Sequence, residues 1–123
     1  MLRVAPLIDA LRVAALLPRV ELGRSRVGPG QLVEVFRARG RRAARRSIEQ
    51  RTALQRVIGF VDRVLPGQPN CYRRALLEIG LDAGAAEEPL HMGLRVPGGP
   101  RSGHAWLGDR AATGTTYDVQ FDI

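Results

Sequence analysis

The hydrophobic period of this chain changes at Pro89. Before it, Leu54, Val57, Ile58, Val61 and Leu65 recur at helical spacing and define one apolar stripe. After it the period is two. Leu90, Met92, Leu94 and Val96 share one face, and His91, Gly93 and Arg95 share the other. Helices that precede strands, rather than alternating with them, imply an α+β domain: N-terminal helices and a cysteine-bearing helix packed on a small antiparallel sheet. A chain of 123 residues has room for a single core.

The expected elements follow from breakers and caps. Pro6 to Leu17 reads as a short helix ending before Pro18, residues 23–30 as a loop, and Gln31 to Arg46 as a helix weakened by Gly40. Ser47 and Gln50 have capping-box spacing ahead of the apolar stripe, with Arg51, Arg56 and Arg63 placed off it. Leu65 to Pro69 is a breaker cluster. Asn70 is placed to cap a helix from Cys71 to Ile79 that stops at Gly80. Strands are expected after Pro89, over Gly103 to Gly108 and over Thr115 to Ile123, with turns at Pro97 to Pro100 and Asp109 to Gly114.

Charge divides the chain. Residues 1–66 carry a net +9 and residues 67–123 a net −2, within a total of +7. All 19 basic residues are arginine, a skew more like genomic base composition than design for one ligand. Within the single compact domain, residues 1–46 read as a basic helical region and residues 47–123 as the core. The run from Arg37 to Arg46 reads first as a solvated helix face, second as a docking surface for an acidic partner, and third as a nucleic-acid site. No aromatic residue interleaves with these arginines to stack on bases, so nucleic acid ranks last.

One cysteine excludes an internal disulfide framework and a cysteine-rich zinc site. No cofactor or metal is expected. Asp9 and Arg12 interrupt the longest apolar stretch, so no membrane span or secretory signal is expected, and a reducing cytoplasm is the default location.

Cys71 falls in the first turn of its helix, where partial positive charge and unpaired N–H groups favour a thiolate. A symmetric hairpin of the last two strands centred on Ala111 would set His104 opposite Asp118 and Trp106 opposite Thr116. If the helix crosses the face bearing His104, a nucleophile, a base and an orienting acid meet. Asp122 shares the strand face of Asp118 and is the reserve for the third role. Trp106 is read as core, His91 as surface or sheet filler, and Asn70 as a cap. Gln68 is a further candidate to reach an oxyanion.

These residues resemble a known family. Leu65-Pro66-Gly67, then Asn70-Cys71-Tyr72-Arg73 continuing to Gly80, then Gly103-His104-Ala105-Trp106-Leu107 and Tyr117-Asp118-Val119-Gln120-Phe121 are similar in order and spacing to transglutaminase-like, papain-related cysteine peptidases. More narrowly, they resemble the stand-alone leader peptidases of lasso-peptide biosynthesis. The likeness covers residues 47–121, and Leu107-Gly108 stands where the family continues with Val-Glu. It implies Cys71 as nucleophile, His104 as general base and Asp118 as orienting acid. It also implies a precursor leader peptide as substrate, a separate leader-binding protein and an ATP-dependent lasso cyclase as partners. The competing readings are a transglutaminase-like acyltransferase, a basic nucleic-acid-binding module, and an inactive scaffold.

Overall fold

Five helices and three strands are formed by the residues that the computed structural model describes: 5–66, 70–95, 102–108 and 119–122. Helix α1 spans Ala5–Arg26, α2 Pro29–Arg41, α3 Ile48–Val64, α4 Cys71–Leu81 and α5 Ala83–Ala86. Strand β1 spans Leu90–Arg95, β2 Ser102–Leu107 and β3 Val119–Asp122. The fold is α+β, with a largely helical body and one small antiparallel sheet.

Helix α1 runs through Pro18 instead of ending before it. A proline inside a helix leaves the carbonyl of the residue four positions earlier without its N–H. That residue, Ala14, faces solvent, as does Pro18, so water can take the freed carbonyl. The buried stripe of α1 is Asp9, Val13, Leu16 and Val20, and it continues past the proline. The expected loop shrinks accordingly, because α2 already starts at Pro29, whose missing N–H costs nothing in a first turn.

Glycines at 40 and 80 mark close packing rather than weakness or a stop. A Cβ on Gly40 would lie 1.8 Å from the Ile79 carbonyl oxygen, so α2 can cross α4 only with glycine there. A Cβ on Gly80 would lie 2.9 Å from Leu16 Cδ2 and 3.0 Å from Phe36 Cδ1, which places α1 and α2 against the same turn of α4. Helix α4 therefore continues through Gly80 to Leu81.

The expected capping box of α3 is present, with Ser47 and Gln50 satisfying each other's backbone N–H groups. Leu54 and Ile58 are buried on its stripe, but Arg51 joins that stripe instead of facing water. Its guanidinium bonds Glu78 at 2.6 Å and both carboxylate oxygens of Glu88 at 2.6 and 2.7 Å. The arginine run is likewise split. Arg37 is buried and donates to the Glu88 carbonyl at 3.0 Å, while Arg46 grips buried Asp9 through two bonds of 3.1 and 2.9 Å. Arg39, Arg41, Arg42 and Arg45 stay on the solvated face. With no lysine to choose from, interior carboxylates are matched by guanidinium groups, whose fork suits bidentate pairing.

One apolar core joins the N-terminal helices to the remainder. Val13, Leu16, Val20, Leu32, Val33 and Phe36 pack in one cluster with Leu54, Ile58, Leu76, Leu77, Ile79, Leu90 and Leu107. In the sheet, β1 is central, in the order β2-β1-β3, and both pairings are antiparallel. Gly108 turns the chain after β2 with φ 58°, a conformation that favours glycine, and its N–H bonds the Pro89 carbonyl.

Candidate active site

The start of α4 is built by three side chains outside its own first turn. Of the N–H groups a helix leaves free at its start, that of Arg73 goes to Asn70 Oδ1 at 2.9 Å and that of Asn70 to the Asp62 carboxylate at 3.0 Å. Asp62 lies on α3 and is 1% exposed. It also accepts from Arg73 Nε at 2.7 Å and from Arg73 Nη2, and Glu21 on α1 takes Arg73 Nη1 at 3.1 Å. Burial by itself lowers the pKa of the Arg73 guanidinium, but the hydrogen bonds to Asp62 and Glu21 outweigh it and raise the pKa above its ordinary value. On the other side, Tyr72 Oη donates to the Pro29 carbonyl at 3.2 Å. The N–H groups of Cys71 and Tyr72 remain at the mouth of the helix, with no acceptor among the described residues.

Cys71 is half-buried and is the first residue of α4. Its Sγ accepts from the Ala105 N–H at 3.2 Å, on the free edge of β2. His104 immediately precedes Ala105 and sits opposite Gly93. The backbone thus brings Cys71 and His104 to one strand edge. The imidazole of His104 lies outside the described side chains.

A cleft of about 290 Å³ opens beside the sulfur, between α3, α4 and β2. Gln55 and Gly59 line one side and Arg74 and Glu78 another, with Ala105 and Trp106 closing the strand side. Glu78 is held by Arg51 and by Gln55 Nε2 at 3.0 Å, and Arg74 reaches Asp62 at 3.5 Å. Trp106 is buried, as expected of a core residue, and it stacks on His91 with ring centroids 5.6 Å apart. His91 is therefore a stacking partner rather than filler.

Among the described residues, β2 and β3 do not pair as the expected hairpin. Strand β1 lies between β2 and β3, so positions on the outer strands are two strand spacings apart, about 10 Å, rather than directly opposed. Cys71 Sγ takes the Ala105 N–H at the outer edge of β2, and β3 pairs with the other edge of β1. Gln120 shares the row of His104 and Gly93, and Asp122 is opposite His91. Asp118 and Gln68 lie outside the described residues.

Asp62, Arg73 and Glu21, which hold the start of α4, are residues that sequence reasoning missed. The available signal was Asp62 itself, an acid at i+4 from Ile58 within an apolar stripe. Among the described residues, no three histidine, cysteine or acidic side chains gather to hold a metal ion, and no helix is long and apolar enough to cross a membrane. Comparison with protein-family models, curated proteins and solved structures found no match to this chain.

Proposed function

We propose that this chain is a cysteine peptidase of transglutaminase-like, papain-related fold that removes the leader from a ribosomally made lasso-type precursor. The observation that carries the reading is the bond from the Ala105 N–H to Cys71 Sγ, which sets the sulfur one residue from His104 at a helix start. The family resemblance supplies the substrate class, the leader-binding protein and the ATP-dependent cyclase.

In this mechanism the Cys71 thiolate attacks the scissile carbonyl lying in the cleft. The N–H groups at the helix mouth, Cys71 foremost, receive the oxyanion. Protonated His104 gives its proton to the departing amine as the C–N bond breaks, leaving an acyl thioester. His104 then takes a proton from water, the resulting hydroxide adds to the thioester, and the sulfur leaves with the leader's new carboxylate formed. Asp118 orients the imidazole, as the resemblance implies. An amine acceptor in place of water gives the acyltransferase alternative.

The test compares iodoacetamide labelling of the parent chain and of His104→Ala at mildly acidic pH, followed by the mass of the products from precursor and leader-binding protein. Faster labelling in the parent, and fragments that together gain one water, are expected. Labelling indifferent to His104→Ala overturns the Cys–His pair. A product that gains an amine selects the acyltransferase instead.

A further inference from the structure

A second, larger groove shares no lining residue with the cleft at Cys71. It holds about 650 Å³ between α1 and α2 and is closed at its base by Gly80 and Leu81 of α4. One wall is α2 with its C-cap residue, where Val35, Ala38, Arg39 and Arg42 fall at i, i+3, i+4 and i+7 on a single stripe. The other wall is α1, where Ala15 continues the row of Leu7 and Leu11 and Arg12 stands beside it. Leu7, Leu11 and Val35 are 65%, 71% and 61% exposed. Among the described residues, no element covers Val35 in the groove or the two leucines that extend its α1 wall.

Its charge is one-sided. Four arginines line it and no acid does. Arg46 is neutralised by Asp9 beneath it, and Arg12 reaches the same carboxylate only at 4.0 Å. Arg39 and Arg42 have no carboxylate partner among the described residues, and both face solvent. The Arg46 pair accounts for itself as structure, whereas Arg39 and Arg42 sit at the C-terminal end of α2 with no carboxylate to neutralise them among the described residues.

We propose that this groove docks an acidic amphipathic helix of a partner protein. A bare anion fits poorly, because half of the lining is apolar and the C-terminus of α2, with its partial negative charge, ends at the site. Nucleic acid fits poorly because no aromatic side chain lines the groove to stack on a base. A helix with apolar residues at i, i+3, i+4 and i+7 lays them along Val35, Ala38 and Ala15, while flanking carboxylates reach Arg12, Arg39 and Arg42. The inference is independent of the chemistry at Cys71.

The test is fluorescence anisotropy with the full chain and a short labelled helical peptide bearing leucines at that spacing and glutamates elsewhere. Saturable binding is expected. Arg39→Glu with Arg42→Glu weakens it about tenfold or more, and Val35→Ser weakens it several-fold, with circular dichroism showing that each variant keeps the parent's fold. Three further probes sharpen the result: the same peptide with alanines for leucines, the same peptide with lysines for glutamates, and a single-stranded oligonucleotide. Weak binding by all three supports the groove. No saturable binding of the acidic peptide overturns it, as does binding untouched by the double charge reversal. Equal binding of the alanine peptide reduces it to charge attraction alone, and tighter binding of the oligonucleotide replaces it with a nucleic-acid surface.

Discussion

Helices α3 and α4 begin with caps of the same kind but are held in opposite ways. The start of α3 is local. Ser47 and Gln50 exchange bonds over three residues at an exposed position and need nothing else. The start of α4 is assembled from distant parts of the chain: Asp62 of α3, Glu21 of α1 and the Pro29 carbonyl of α2 all hold its first turn. A local cap stabilises a helix but leaves its direction free. A cap tied to three other helices also fixes where the first residue sits, and in α4 that residue is Cys71. Under the proposed function this is what Cys71 would require as nucleophile, since small displacements at a reacting centre are costly.

The largest break in this contrast comes from Asp62→Ala. It strips a buried guanidinium of its main partner and frees the Asn70 N–H together. Removing one member of a buried ion pair costs about 3–5 kcal/mol, and urea unfolding should show that loss. Asp62→Asn keeps the volume and an acceptor but not the charge. It should lose less stability, yet still slow the labelling of Cys71 by iodoacetamide. Unchanged stability in both variants would show that the pair holds nothing.

The two caps can then be set against each other directly. Asn70→Ala and Ser47→Ala each remove one side-chain cap, worth about 1 kcal/mol at either helix. Their stability losses should be similar, whereas only Asn70→Ala should alter the rate of Cys71 labelling. If Ser47→Ala alters that rate as much, the contrast between a local and a positioning cap fails.

Sequence carried the local half of this design and little of the other half. The capping box, the apolar stripe on α3, the Asn70 cap, Cys71 at a helix start and the period-two run of β1 all depend on neighbours within a few residues, and they read directly. The misplaced features depend on what lies across the core. Pro18 looked like a stop because nothing in sequence says that its freed carbonyl faces water. Gly40 reads as a weak point and Gly80 as a stop because the close crossing of α2 and α4 is tertiary. Arg51 is at the correct spacing for the buried stripe, but a charge is expected outside unless its carboxylates, 27 and 37 residues away, are known. The strand order is tertiary in the same way. Parity allows His104 to face Asp118 in a hairpin, but β3 pairs with the far edge of β1, and a period-two pattern does not say which edge a third strand takes.

The smallest expected effect belongs to the tether on the far side of the cysteine. Tyr72 Oη donates to the Pro29 carbonyl and joins the first turn of α4 to the first turn of α2. Tyr72→Phe removes one partly exposed hydrogen bond and should cost about 0.5 kcal/mol at neutral pH. Its sharper signature is in pH. Burial raises the phenol's pKa above the ordinary 10.0, so the folded chain holds this proton more tightly than the unfolded chain does. The stability contributed is therefore whole below pH 10.0 and is lost as pH climbs through the raised value, where the ionised oxygen can no longer donate to Pro29. Urea midpoints for the parent and Tyr72→Phe should run parallel up to that pH and converge above it, the parent falling faster. Curves that stay parallel throughout would mean that Tyr72 ionises alike in both states, and the start of α4 would then rest on Asp62, Arg73 and Asn70 alone.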